Sequence, residues 1–245
     1  MGAKAKIASK KLLTIDTEIK NRALLEIAKE LRVKKEEIKE HNKKDLIAGK
    51  EAGLSFALLD RLELTDSRIE SMAVSLEEIA AFTDPIGEIL TGWRHKNGMS
   101  IEKKRVPLGV IGMIYESRPN VTIDSAGLAI KSSNAVILRG SANAINSNMY
   151  LNKLFNEVGI RAGLPENSVQ LIESTDRELV KEMIKLDKYI DVLIPRGGKG
   201  LKKFILENAT IPVIETGAGV CHVFVDESAN IVDVLNIIKN AKTQR

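Results

Sequence analysis

The chain has 245 residues, 44% hydrophobic and 29% charged, with 37 Lys and Arg against 33 Asp and Glu. That balance excludes wholesale disorder and fits one large domain or two small ones, whose core needs no disulfide staples. A single cysteine, Cys221, excludes an intramolecular disulfide framework and a cysteine-built zinc site, and fits a reducing, cytoplasmic compartment. No apolar run approaches the ~18 residues of a membrane span, and the basic start lacks the apolar core and cleavage site of a secretory signal.

The charge excess is local. Residues 1–50 hold 14 basic and 8 acidic groups, a net of +6, and the remaining 195 residues have a net of −2. Aromatics are 4% and do not interleave with the basic residues, so nucleic-acid binding is not expected.

Residues 1–85 read as helical. Ile15, Ile19, Ala23, Leu24, Ile27, Ala28 and Leu31 recur at the three-and-four spacing of one buried helix face. Ala52-Gly53-Leu54-Ser55 signals a loop, and Thr65-Asp66-Ser67 opens a helix through Met72, Leu76, Ile79 and Ala80 that ends before Asp84-Pro85. Residues 86–105 hold short β-compatible stretches, and the Lys96-Asn97-Gly98 turn flanked by Trp93 and Ile101 predicts a hairpin. Such a ribbon is either an arm that pairs with another subunit or a surface flap.

From Val106 the pattern changes to apolar runs at 110–114, 135–138, 169–172, 190–194 and 211–214. Helical stretches separate them at 123–132, 142–162, 177–186 and 200–208, and a last helix is expected from Ile231 to Lys242. Strands apolar on both faces and alternating with helices predict an α/β fold with a parallel sheet covered on both sides. Ligands of such sheets bind at the carboxyl ends of the strands. Four clusters fall there: Tyr115–Thr122, Arg139–Asn143, Pro195–Gly200 and Glu215–Gly219. Glycines admit a ligand close to the backbone, helix N-termini offer free N–H groups, and Arg or Lys neutralises an anion. Neither GxGxxG nor the P-loop pattern occurs, so no nucleotide fingerprint stands on its own. Each cluster also reads as an ordinary turn or surface ion-pair partner.

The segments VPLGVIGMIYESRPNVTIDSAGLAIKSSNAVILRGSANAINSN, VLIPRGGKGL, ETGAGVCHVFVD and NAKTQR resemble the γ-glutamyl phosphate reductases, also called glutamate-5-semialdehyde dehydrogenases, of the aldehyde dehydrogenase superfamily. The resemblance implies NADPH-dependent reduction of L-glutamyl 5-phosphate to glutamate 5-semialdehyde with release of phosphate, a step of proline biosynthesis, through a cysteine thioester and without a metal. It implies an aldehyde-dehydrogenase-like cofactor-binding domain with a helical N-terminal region (1–85), a protruding hairpin that serves as an oligomerisation arm (86–105), a cofactor-binding sheet (106–220) and the start of a catalytic domain (221–245), and a homo-oligomeric enzyme.

By resemblance, Asn120 is the candidate oxyanion donor. Arg139, Gly140 and Ser141 lie along the adenosine ribose, Arg139 meeting the 2′-phosphate, and Gly197, Gly198 and Gly200 form the turn beside the dinucleotide. Glu215 aligns with the superfamily's general-base glutamate; acyl-phosphate reduction needs no hydrolytic deacylation, so it is placed with the cofactor-binding residues. Cys221, beside His222, tempts as a nucleophile. The run Cys221–Val225 reads instead as a strand with Cys221 as a small buried hydrophobe. The family's nucleophile is expected after NAKTQR, beyond Arg245, so the chain is read as an N-terminal portion, inactive alone. The alternatives are a dinucleotide-binding fragment or an interaction module without catalysis.

Overall fold

The computed structural model describes residues 1–215, 217 and 219–243. Two compact units divide the chain, Met1–Glu215 and Thr216–Arg245. In the first, helix formation follows the apolar spacing. α1 (Gly2–Leu12) buries Ala5, Ala8 and Leu12, and α2 (Thr17–Val33) buries Ala23, Leu24, Ile27, Ala28 and Leu31. α3 (Lys35–Glu51) and the short α4 (Phe56–Leu62) follow. α5 (Asp66–Ala81) starts where Thr65 predicts: its hydroxyl accepts the Arg68 N–H at 3.3 Å, satisfying one orphan donor of the first turn. α1 is tied far along the chain, since Lys6 Nζ donates to both carboxylate oxygens of Asp191 at 2.6 and 2.7 Å.

The linker after α5 is pinned by charge. Lys20, whose side chain is 2% exposed, pairs with Asp84 and donates to the Ser133 hydroxyl at 3.0 Å and the Lys131 carbonyl at 3.3 Å. Asp84 also accepts from the Thr17 hydroxyl at 2.5 Å and the Ile86 N–H at 2.9 Å. Beyond the linker, β1 (Ile89–Arg94) and β2 (Ser100–Lys104) form an antiparallel hairpin with Trp93 opposite Ile101. Gly98, at φ +90°, supplies the left-handed turn residue. Ile101 is half-buried and every other strand residue is exposed.

The α/β core runs β3 (Val110–Tyr115), α6 (Asn120–Lys131), β4 (Ala135–Arg139), a 3-10 turn (Ala142–Ala144), α7 (Ile145–Arg161), β5 (Val169–Leu171), α8 (Glu178–Met183), β6 (Val192–Arg196) and α9 (Lys199–Asn208). All neighbours pair parallel in the order β5-β4-β3-β6. β4 is buried throughout and β3 at all but Met113, as expected for strands covered on both faces.

The run 211–214, expected as a fifth strand, makes only a single parallel bridge, Leu193 to Val213. Leu193 N–H donates to the Pro212 carbonyl and Ile214 N–H to the Leu193 carbonyl, both at 2.9 Å. The next rung would need a donor from residue 195, which is proline, so the ladder stops.

In the second unit, α10 (Ile231–Thr243) is the regular element among the described residues. Its apolar residues Ile231, Val232, Leu235 and Ile237 are exposed. The expected strand at Cys221–Val225 is absent and Cys221 is exposed, so its reading as a buried strand residue is corrected. Alternation makes a strand only where a neighbour completes the hydrogen-bond ladder, and no strand pairs with this segment among the described residues. Thr216, Ala218 and Arg245, which the sequence reading includes, lie outside the described residues.

Candidate functional site

The strand order reverses between β3 and β6, and the carboxyl ends at such a reversal are where ligands of parallel sheets bind. Glu116 is the first residue past β3. Its N–H donates to the Arg196 carbonyl at 3.2 Å, and its Oε2 accepts the Gly198 N–H at 3.0 Å. Gly198 is the N-cap of α9. A Cβ on Gly197 would stand 2.7 Å from a Leu201 methyl and 2.8 Å from the Glu116 carboxyl carbon, so any larger residue there must displace these side chains. Gly200, in the first turn of α9, faces open space.

β4 ends on the other side of β3. Ser117 and Ser141 hydroxyls lie 3.5 Å apart across the two strand ends. A Cβ on Gly140 would collide with the Asn148 amide and press on the Tyr115 ring, so glycine is required by close packing. Beneath it runs a buried polar chain. The Tyr115 and Thr122 hydroxyls are 2.7 Å apart, and Thr122 donates to Asn148 Oδ1 at 3.0 Å. Burial pushes the Tyr115 phenol up, the Thr122 hydrogen bond opposing, so it stays protonated at neutral pH. The Asn148 side-chain nitrogen is buried without a hydrogen-bond partner among the described residues.

Arg139 is 8% exposed. Its guanidinium donates to the Gly140 carbonyl at 2.7 Å and to the Thr175 and Asp176 carbonyls at 3.3 Å each, clasping the loop after β5. Its Nε is buried and unpartnered among the described residues. Burial and the neighbouring Arg177 both lower its pKa, with Asp176 opposing. Two guanidinium groups thus lie near each other at the ends of β4 and β5, one buried and one exposed. The buried guanidinium thus keeps one N–H without an acceptor, which favours an outside acceptor or anion beside it.

Asn120 opens α6 and is half-buried. Its Nδ2 donates to Asp124 Oδ2 at 2.9 Å, one turn on, which fixes the amide and leaves one of its two N–H groups for another acceptor. Burial raises the Asp124 carboxyl, against hydrogen bonds from Asn120 and Ser75.

The structure therefore brings Arg139, Gly140, Ser141, Gly197 and Gly198 to one edge of the sheet, with Gly200 in the adjoining turn. Glu215 is exposed at the last position of the first unit, and no hydrogen bond ties it to that cluster among the described residues. Sequence reasoning did not single out Glu116, Asn148 or Arg177. Glu116 and Arg177 stand in or beside strand-end segments, which was a usable signal; the clash that makes Asn148 matter exists only once α7 packs against Gly140.

For a nicotinamide dinucleotide, the residues present fit. A glycine-lined helix start, a buried guanidinium nitrogen without a partner and a reversal of strand order converge at the carboxyl edge. Among the described residues there is no group of three or more His, Cys, Asp or Glu side chains arranged to hold a metal, and no helix is long and apolar enough to cross a membrane.

A sequence model of the aldehyde dehydrogenase family matches residues 1–244. A γ-glutamyl phosphate reductase of Campylobacter curvus is 63% identical over 241 residues, covering 98% of this chain and 54% of that protein. One from Clostridium tetani is 53% identical, covering 100% and 57%. The crystal structure of γ-glutamyl phosphate reductase from Thermotoga maritima superposes with a TM-score of 0.90 at 45% identity, covering 100% of this chain and 59% of that one. The chain thus spans little more than half the length of the relatives it matches.

Proposed function

Since the chain belongs to the aldehyde dehydrogenase family, we propose that it supplies the NADPH-binding sheet of a γ-glutamyl phosphate reductase, which reduces L-glutamyl 5-phosphate to glutamate 5-semialdehyde and releases phosphate. The observation that carries this reading is the meeting of the β3, β4 and β6 carboxyl ends at the point where the strand order reverses. The likeness to reductases named for that reaction supports the substrate.

NADPH, when bound, supplies hydride. The chain's own residues bind and orient. The bare backbone of Gly197 and Gly198 lets a diphosphate approach the start of α9. Arg139 holds the loop Thr175–Asp176 at the rim, and its buried charge together with Arg177 favours the 2′-phosphate of NADPH over the 2′-hydroxyl of NADH. Asn120, oriented by Asp124, offers one amide N–H to an oxyanion; removing one such donor typically costs on the order of 10²–10³ in rate. Thiol chemistry is not assigned to Cys221, and homo-oligomerisation through the hairpin belongs to the same proposal.

The test is a fluorescence titration of the chain with NADPH and NADH, repeated on Arg139→Gln. NADPH is expected to bind tighter than NADH, and the variant to lose roughly 10-fold more affinity for NADPH than for NADH. Equal losses would remove Arg139 from 2′-phosphate selection, and absence of binding by the parent chain would reject the dinucleotide reading.

A further inference from the structure

The carboxylate of Glu116 occupies the place where the proposed cofactor's diphosphate would take its hydrogen bonds. Its Oε2 accepts from the N-cap amide of α9 at 3.0 Å. That helix has no capping side chain of its own and no acidic residue in its first turn. The carboxylate reaches it from a position 82 residues earlier in the chain, held by the Glu116 N–H bond to the Arg196 carbonyl. Glu116 Oε1 would be 3.0 Å from a Cβ on Gly197, so the carboxylate lies directly against that backbone, beside a Leu201 methyl. Independently, the neighbouring strand end carries the buried Arg139 Nε without a partner. One guanidinium N–H is therefore left for an outside anion, with β3 standing between it and a helix whose N-cap amide is already taken by Glu116.

Resting on the dinucleotide reading above, we infer that Glu116 is an internal competitor of the cofactor. Its carboxylate caps α9 in the free protein and must swing off Gly198 before a phosphate can take that amide. One N–H cannot serve two anions at full strength, and a carboxylate left beside a diphosphate is repelled by it. Binding is therefore an exchange of one anion for another at a fixed donor. Glu116 is exposed, so its side chain has room to leave without repacking the core.

Three proteins decide this: the parent chain, Glu116→Gln and Glu116→Ala, each titrated with NADPH by fluorescence and melted without ligand by circular dichroism. Glu116→Gln keeps the volume and an acceptor oxygen and removes only the charge. Both variants are expected to bind NADPH roughly 5- to 10-fold tighter than the parent, and inorganic pyrophosphate is expected to compete more strongly in both. Glu116→Ala should also melt lower without ligand, because α9 has lost its cap. A purely structural role predicts lower stability with equal or weaker binding, so opposite signs in the two measurements are the signature. If the parent binds NADPH and both variants bind it equally or less well, the inference about Glu116 is wrong while the dinucleotide reading stands. If none of the three binds, both fall together.

Discussion

Replacing Asp84 by alanine tests how the helical region is locked to the sheet. The substitution removes the anion paired with Lys20, whose side chain is 2% exposed, and frees the Thr17 hydroxyl and Ile86 N–H. Breaking a buried pair typically costs ~3–5 kcal/mol, because the remaining charge is stranded. The Lys20 ammonium keeps two oxygen acceptors, the Ser133 hydroxyl and the Lys131 carbonyl, and Asp84 is itself 12% exposed. Both soften the loss, so the expectation is the lower end, about 3 kcal/mol, read as a urea midpoint shift at pH 7 with unchanged slope. Asp84→Ala combined with Lys20→Met should recover most of it, since an apolar replacement of both partners strands nothing.

The acid limb follows from linkage. Burial would raise the Asp84 carboxyl, but the hydrogen bonds from Lys20, Thr17 and Ile86 outweigh it and hold the group below the ordinary carboxylate range. A depressed folded value means the unfolded chain binds the proton more tightly. The contribution is then complete above pH ~4 and lost as pH falls through the folded value, where the stabilities of parent and Asp84→Ala should converge. A loss below ~1 kcal/mol at pH 7, or a double variant no more stable than the single one, would refute the pairing as the lock.

Two further outcomes follow from exposure. Hydrogen exchange should find amides 88–104 weakly protected in dilute chain and more protected as concentration rises, because the hairpin is exposed on both faces; strong protection independent of concentration would show a ribbon stable by itself. Cys221 should react with a thiol reagent in native buffer about as fast as in urea; a native rate lower by 10-fold or more would restore its reading as a buried side chain.

The legible parts of the fold were those whose determinants are local. Thr65 capped α5 as its type predicts, Lys96-Asn97-Gly98 made the hairpin turn, and the runs at β3, β4 and β6 were strands because both faces are covered. The misreadings depend on a partner strand. Ile211–Ile214 has the composition of a strand, yet its ladder ends at a proline in the facing strand, and Cys221–Val225 alternates without a neighbour to pair with. α1 falls within the region read as helical, but no buried face stood out there, because that face is largely alanine among lysines, a weak signal until it packs. In the candidate site, residue types at strand ends marked the correct edge. The Glu116–Gly198 bond and the carbonyl clasp of Arg139 join residues 82, 36 and 37 positions apart, and no local pattern encodes them.

The bond from Lys6 to Asp191 spans 185 residues, and that separation sets a schedule for synthesis. At the usual 5–20 residues per second, roughly 10 to 40 s pass between the emergence of the first helix and that of the carboxylate it needs. Throughout that interval the helix's alanine face has no β6-side anchor, and the loop to be closed is among the longest the chain can form. A nascent chain arrested before residue 191 should therefore leave its N-terminal segment open to protease, while the α2–α5 pair, which needs only the first 81 residues, is already protected.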